Sequence, residues 1–271
     1  MANELFQGIT LIKCAVAILM VVALSVLAEV VSPRFAGILS GYPLGAAISL
    51  FFMGLEISPA FAAQSAVYTM IGLVATQVFA YCYYRASSVY NLKKVPGILF
   101  ASFVGVCGYF LAASVLRYLP LTLLMAILLP TFSIVLFTFL FKRIANVKIQ
   151  KRVSISSRIL VLRSFFAACS IVLITSTAKL VGPGWAGLFA AFPITMLPFV
   201  VIIHFTYDVA HVHVILKNVP KGLGSLIVYS LAVSIAYPIH GIYAGTAIAY
   251  GFATLYLILI QIAALRRHRR A

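Results

Sequence analysis

The segments VSPRFAGILSGYP, from Val31 to Pro43, and VGPGWAGLFAAFP, from Val181 to Pro193, are near copies at a constant offset of 150 residues. Each carries two prolines, which interrupt a helix because proline lacks an N–H donor and clashes with the preceding turn. This self-similarity indicates an internal duplication around a broken apolar segment. Between residues 28 and 43 six of sixteen positions match without a gap: Ala28/Ala178, Val31/Val181, Pro33/Pro183, Ala36/Ala186, Gly37/Gly187 and Pro43/Pro193.

The composition around these segments is that of a membrane protein. Of the 271 residues, 64% are hydrophobic and 9% are charged, and the mean hydropathy is +1.14. Globular proteins have about 25% charged residues. The apolar runs are continuous rather than alternating, which favours transmembrane helices over a β-barrel. The sequence predicts about nine spans, at approximately 8–31, 36–55, 63–84, 97–118, 121–141, 159–181, 185–206, 220–237 and 241–264.

The basic residues predict the orientation of these spans. Twenty Lys and Arg residues stand against four acids, for a net charge of +16. The basic residues lie between apolar runs and do not form one face of a soluble domain, so we expect no nucleic-acid partner. With nine spans, seventeen of the twenty fall on one side, and only Lys13, Arg117 and Lys179 fall on the other. Because Lys and Arg accumulate in cytoplasmic loops, the N-terminus is predicted outside and the C-terminus in the cytoplasm.

The offset of 150 residues implies that the two repeats have opposite orientations in the membrane. Span 1 corresponds to span 6, and five spans separate their starts, so the second unit enters the membrane from the opposite face. We therefore predict an all-α polytopic membrane protein built as two inverted repeats, spans 1–4 and 6–9, joined by span 5. The expected domains are a first repeat at 1–118, a linking helix with a basic cytoplasmic joint at 119–157, and a second repeat with a basic tail at 158–271.

Broken helices at matching positions of inverted repeats are typical of the substrate site in secondary transporters. Here they are spans 2 and 7, in which proline is expected to free carbonyls one turn earlier for a ligand or water. Pro198 predicts a second break in span 7. The alternative is a pair of structural kinks packed against neighbouring helices. The predicted substrate-binding residues are Gly41, Tyr42, Pro43, Gly45, Phe192, Pro193, Thr195 and Pro198.

Ionisable residues within apolar spans are functional candidates because burying a charge in a membrane is costly. The inverted arrangement predicts an inner ion pair of Glu29 with Arg163 and an outer cationic pair of Lys13 with Lys179, partly balanced by Glu56. Such an arrangement favours an anionic or zwitterionic substrate, with Glu29 or Glu56 as a proton-coupling carboxylate. The alternative is that these long side chains only reach the membrane interface.

A second polar cluster lies near the end of span 7. His204, Asp208 and His211 are spaced i, i+4 and i+7, which places them on one face of a continuous helix and within the chemistry of a zinc site. Interfacial polar residues are the commoner explanation of such a cluster. We therefore expect no bound metal and no other cofactor.

The segments WAGLFAAFPITMLPFVVIIH and FAGILSGYPLGAAISLFF resemble the small GlpM-type bacterial inner-membrane proteins, in which an A-G-L-like start precedes an F-P-like break. The likeness covers about twenty residues in each half. It implies a bacterial inner membrane and a fused pair of such units, and it transfers no catalytic residue.

The leading functional prediction is a secondary carrier for a small anionic or zwitterionic solute. The alternatives are a lipid flippase or other lipid-handling protein, and a non-transporting scaffold subunit. The expected partners are membrane lipids and a small-molecule substrate, and a homodimer is the alternative to a monomer. We expect no enzyme, because the sequence shows no paired nucleophile and base, no HExxH and no GxxxxGK.

Overall fold

The computed structural model describes residues 8, 10–16, 18, 19, 22, 42–89, 94–119, 121–144, 157–207 and 209–270. Within these ranges every regular element is a helix. Residues 10–16 form a helical stretch, which we call the N-terminal segment. The helices that follow are α1 Leu44–Glu56, α2 Pro59–Val89, α3 Lys94–Leu116, α4 Leu123–Leu140, a short 3₁₀ turn at Phe141–Arg143, α5 Ser157–Ala190, α6 Met196–Thr206 and α7 Val209–Arg270.

Five of these helices, α2, α3, α4, α5 and α7, are long and apolar enough to cross a membrane. This confirms the prediction of an all-α protein with apolar helices of membrane-spanning length. By contrast, α1 has 13 residues and α6 has 11. At 1.5 Å per residue they are only about 20 and 17 Å long, short of the roughly 30 Å of hydrocarbon in a bilayer. The count of nine spans stays a prediction.

Two of the long helices contain a glycine with a backbone that other residues rarely adopt. Gly182 has φ 76° and ψ 169°, and Gly241 has φ 73° and ψ −179°. This conformation is essentially restricted to glycine, because a Cβ would be strained there. Each glycine therefore divides its helix into two segments.

At Gly241 the two segments of α7 fold back on each other. The Tyr237 and Thr246 hydroxyls are 2.7 Å apart, and the rings of Tyr229 and Tyr250 lie 5.0 Å apart between centroids. These pairs lie progressively farther from Gly241 in sequence, so the segments 209–240 and 242–270 are antiparallel. They correspond to predicted spans 8 and 9.

Predicted span 8, at approximately 220–237, lies within α7, whose helix begins eleven residues earlier, at Val209. Pro220 lies inside α7 and does not start it. Neighbouring helices and local adjustments can compensate the hydrogen bond that proline removes within a membrane helix.

The helix α2 is the centre of the bundle. It contacts α1, α3, α4, α5 and α7, and its most apolar stretch is largely buried. In contrast, α3 and α4 expose large apolar side chains, as a lipid-facing surface would: Leu99, Phe103, Leu111, Phe132, Val135 and Phe139. The protein therefore places its broken segments around α2 and its most apolar faces outside.

Candidate functional site

In each of predicted spans 2 and 7, a short helix begins just after a proline. In span 7 the helix ends at Ala190 and resumes at Met196, with Pro193 in the gap. In span 2 the described helix begins at Leu44, immediately after Pro43. Both α1 and α6 are thus half-helices whose N-termini lie at a proline break.

The two breaks have the same hydrogen-bond geometry. The residue after each proline donates its backbone N–H to the carbonyl of the residue before it, at 2.7 Å in both cases. The fourth residue after each proline then donates to the carbonyl of that proline. The bonded pairs lie 150 residues apart: Leu44 to Tyr42 matches Ile194 to Phe192, and Ala47 to Pro43 matches Leu197 to Pro193. The resemblance between the two segments in sequence therefore extends to their backbone geometry.

Both breaks line a single small cavity. Its volume is about 40 Å³, close to the roughly 30 Å³ that one water molecule occupies in the liquid. Gly41 lies outside the described residues, and Pro198 does not line the cavity. The structure brings together the six other predicted binding residues: Tyr42, Pro43, Gly45, Phe192, Pro193 and Thr195.

Pro198 does not break span 7 a second time. It lies in the first turn of α6, which continues unbroken from Met196 to Thr206. The N–H groups of the first turn have no intrahelical acceptor, so a proline there removes no helical hydrogen bond. The expectation of a second break was wrong for this reason.

Hydroxyl groups of neighbouring helices donate hydrogen bonds to the carbonyls at the end of α5. Thr69 of α2 donates to the Gly187 carbonyl at 3.0 Å, and Thr76 of α2 donates to the Ala191 carbonyl at 2.7 Å. Tyr109 of α3 donates to the Leu188 carbonyl. Proline was expected to leave such carbonyls free for a ligand or water, but these three bind protein hydroxyls instead.

Among the residues that the structure describes, no side-chain cap is found at either helix N-terminus at the cavity. Neither Pro43 nor Thr195, the residues that precede α1 and α6, makes a side-chain capping bond. A helix N-terminus carries about half a positive charge, and its first N–H groups lack intrahelical acceptors. No charged side chain belongs to the described lining of the cavity. With the carbonyls at the end of α5 bonded to hydroxyls and no capping side chain at Pro43 or Thr195, the local field favours negative charge.

Close contact between α2 and α5 holds the break in place. A Cβ added to Gly72 of α2 would lie 2.6 Å from the Cβ of Ala191, so only glycine fits at this crossing. The stripe Ser65, Thr69, Gly72 and Thr76 on α2, spaced i, i+4, i+7 and i+11, faces the end of α5. The spacing S-x-x-x-T-x-x-G-x-x-x-T in the sequence marks this face of α2.

Lys13 and Glu56 form a buried ion pair at the far end of α1. The Lys13 Nζ lies 2.6 Å and 2.7 Å from the two carboxylate oxygens of Glu56, and it donates to the Thr175 hydroxyl at 2.7 Å. Lys13 is 1% exposed and Glu56 is 22% exposed. The ring of Phe52 lies 5.6 Å from the ammonium. The pair joins the N-terminal segment, α1 and α5.

The other predicted ionisable residues are placed differently. Glu56 pairs directly with Lys13 instead of only partly balancing two lysines. Lys179 is exposed, one turn beyond Thr175 on α5. Glu29 and the side chain of Arg163 lie outside the described residues, so their predicted ion pair stays a prediction.

The histidines near the end of span 7 do not share one helical face. The helix α6 ends at Thr206 and α7 begins at Val209, so His204 and His211 lie on different helices. The expected i, i+4, i+7 geometry was wrong because the chain leaves the helical conformation at Tyr207. Asp208 lies outside the described residues. Among those described, no three potential metal ligands converge.

Both histidines make other contacts. The Nδ1 of His204 lies 3.0 Å from the Tyr83 hydroxyl of α2, and the ring of His211 lies 5.5 Å from that of Tyr207. His213, which follows on α7, has its Nε2 2.9 Å from the Ser87 hydroxyl. His204 and His213 thus connect α6 and α7 to the end of α2.

The fold and the site together define a helical protein with five apolar helices long enough to span a membrane and two short helices that begin at proline breaks around one cavity. Comparison with family models, with curated proteins and with solved structures gives no match. The resemblance to GlpM-type proteins therefore stays a prediction.

Proposed function

We propose that the protein is a secondary carrier that moves a small anionic or zwitterionic solute through the cavity between the two proline breaks. The observation that carries this proposal is the convergence of two matching breaks on one cavity, with the N-termini of α1 and α6 both directed at it. In secondary transporters, half-helix N-termini point at anionic groups of the substrate.

The architecture of the carrier is proposed to be the inverted repeat. Under this symmetry α1 exchanges with α6, and α3 exchanges with the second segment of α7. The contacts are consistent with such an exchange, because α1 packs on α7 and α6 packs on α3. The span α4 is the extra helix that reverses polarity between the halves. The proposal includes an N-terminus outside and a C-terminus in the cytoplasm of a bacterial inner membrane.

The small volume of the cavity corresponds to a closed state of the proposed carrier. About 40 Å³ has no room for a solute much larger than water. Transport then requires α1 or α6 to move away from α2 and open the cavity toward one side. Half-helices that are not continuous across the membrane can make such a movement without bending a whole span.

A thermal-shift experiment on the detergent-purified protein tests the carrier. The probes are chloride, phosphate, acetate, glutamate and glycine, applied to the native protein and to the variants Pro43→Ala and Pro193→Ala. A ligand at a hundred times its Kd stabilises the folded state by about 2.7 kcal/mol. We expect at least one probe to raise the unfolding temperature of the native protein but of neither variant.

Pro130→Ala is the matched control, because Pro130 also lies in an apolar helix but does not line the cavity. The stabilisation should persist in this variant. Equal stabilisation of all four proteins would place any binding site elsewhere and contradict the proposal. Stable copurification with another protein, without a ligand effect, would favour the scaffold instead.

One observation favours lipid handling as a second candidate function. An apolar groove of about 550 Å³ lies between the N-terminal segment, α1 and α7. Ile12, Leu55 and Tyr243 line it and are exposed on the surface of the bundle. A flippase would hold an acyl chain there. Transfer of a fluorescent phospholipid between leaflets of reconstituted vesicles, reduced by Leu55→Glu, would support this candidate over the carrier.

A further inference from the structure

Each half-helix is tied to the bundle at the end opposite its break. The last residue of α1, Glu56, is bound by Lys13 of the N-terminal segment, and this lysine also donates to Thr175 of α5. Near the end of α6, His204 lies 3.0 Å from the hydroxyl of Tyr83 on α2. Both half-helices therefore have an open N-terminus at the cavity and a polar contact at the far end.

The two contacts lie at opposite ends of the bundle. Glu56 ends α1 just before α2 begins at Pro59, whereas Tyr83 is 24 residues into α2. That separation is about 36 Å along the helix axis, more than the hydrocarbon thickness. Thr76, which lines the cavity, lies between them. The two contacts therefore lie on opposite sides of the cavity along α2.

The donors of Lys13 are fully used in this state. Its three N–H groups are matched by two carboxylate oxygens and one hydroxyl, at 2.6 to 2.7 Å. Tyr83 is completely buried. Movement of either half-helix away from the bundle requires its contact to break first, because the end of a short rigid helix cannot swing while it is bonded.

We propose that Lys13–Glu56 and Tyr83–His204 are the two gates of the carrier, one on each side of the membrane. This inference rests on the proposed function. Release of Glu56 frees α1 and opens the cavity toward the Glu56 side, and release of His204 frees α6 and opens it toward the other side. Both gates are closed in the structure, which agrees with the small size of the cavity.

The reporter for each opening is the variant Thr195→Cys, because Thr195 lines the cavity and makes no capping bond. The native cysteines Cys14, Cys82, Cys107 and Cys169 are first replaced by alanine. Right-side-out and inverted membrane vesicles are treated with the impermeant thiol reagent sulfonatoethyl methanethiosulfonate, and a protease-sensitive C-terminal tag reports which face is exposed.

We expect Glu56→Gln to raise the rate of labelling about tenfold from the Glu56 side alone, since it removes the negative charge and one of the two oxygens that accept from Lys13. Tyr83→Phe removes a neutral hydrogen bond and should raise the rate about fivefold from the opposite side alone. If Glu56→Gln does not fold because Lys13 is left unpaired, the double variant Lys13→Met/Glu56→Gln removes the contact without an isolated charge.

Two matched controls remove a nearby group that is not part of either gate. Lys179→Met deletes an exposed cation one turn from Thr175, and Tyr84→Phe deletes the hydroxyl next to Tyr83. Both should leave labelling unchanged from either side.

The outcomes separate this inference from the proposed function. Measurable labelling that neither gate variant changes, or that rises from the wrong side or from both sides, overturns the gates and leaves the carrier standing. A reporter that reacts from neither side in any variant, but reacts after denaturation, shows that the cavity is not on a pathway and overturns both.

Discussion

Replacing Gly187 by alanine tests whether close contact between α2 and α5 holds the break of span 7 in place. The new Cβ would lie 2.7 Å from the Cβ of Tyr68 and would overlap the carbonyl oxygen of Ser65. Carbon atoms in favourable contact are about 3.5–4.0 Å apart, so the end of α5 has to move by about 1 Å. Because the overlap involves backbone, no side-chain rotation can relieve it.

The cost has two parts. Forcing an extra carbon into a packed interface costs about 1–3 kcal/mol. The displacement also strains the bonds from Thr69 to the Gly187 carbonyl and from Thr76 to the Ala191 carbonyl, and hydrogen bonds between membrane helices contribute about 0.6 kcal/mol each. The total is about 2–4 kcal/mol. For a chain of this size that corresponds to a fall of about 5–10 °C in the unfolding temperature.

Thermal unfolding in detergent, followed by the loss of the monodisperse elution peak, measures this effect. The control is Gly184→Ala on the same segment, where the added Cβ would meet the Tyr68 ring at 3.6 Å, an ordinary contact. The control should unfold at or above the temperature of the native protein, since alanine favours the helix. The reasoning is refuted if Gly187→Ala unfolds together with Gly184→Ala.

Three further predictions concern the ion pair, the hydroxyl caps and the glycine turn, all measured by unfolding. Lys13→Met should destabilise by about 3–5 kcal/mol by leaving Glu56 unpaired, and Lys13→Met/Glu56→Gln should recover part of this loss; additive losses in the double variant would contradict the pairing. Thr76→Val should cost about 0.6 kcal/mol through the lost bond to Ala191, and an unchanged value would mean that this carbonyl needs no cap. Gly241→Ala should cost about 1–3 kcal/mol from backbone strain alone, because its Cβ would meet nothing within 4 Å; the helical Gly251→Ala, also in open space, should not be destabilised.

The helices and their proline breaks could be predicted from local sequence. Runs of about twenty apolar residues specify membrane helices, because the backbone must form its hydrogen bonds internally within the bilayer. Pro43 and Pro193 marked both breaks because the effect of proline acts within one turn of its own position. The turn of α7 at Gly241 was likewise expected within 237–241, since glycine and proline are the strongest local signals of a turn.

The contacts around the breaks could not be predicted in this way. The pairing of Lys13 with Glu56 and Thr175 joins residues 43 and 162 positions apart, which depends on how three helices pack. The caps on the α5 carbonyls come from α2 and α3, which no local pattern near Pro193 indicates. For Pro198 the error was positional: the same residue breaks a helix interior but is tolerated in a first turn.

The two halves also differ in a way that the matched segments did not suggest. At the offset of 150 residues, the hydroxyl stripe of Ser65, Thr69 and Thr76 corresponds to Ile215, Val219 and Leu226. Only Gly72 is retained, as Gly222. A repeat detected from its prolines and glycines therefore predicts where the backbone breaks, but not which half supplies the polar partners.

The central position of α2 has a consequence for how the protein enters the membrane. Among the five long helices, α2 is the least hydrophobic, and it carries the fully buried polar side chains of Ser65, Thr69 and Gln77. Thr69 has its partner carbonyl on α5, which is synthesised only after α2. The more hydrophobic α3 and α4 follow it directly in the chain. They would anchor α2 in the bilayer during translation, so the order of helices lets an interior too polar for lipid be inserted before its final neighbours exist.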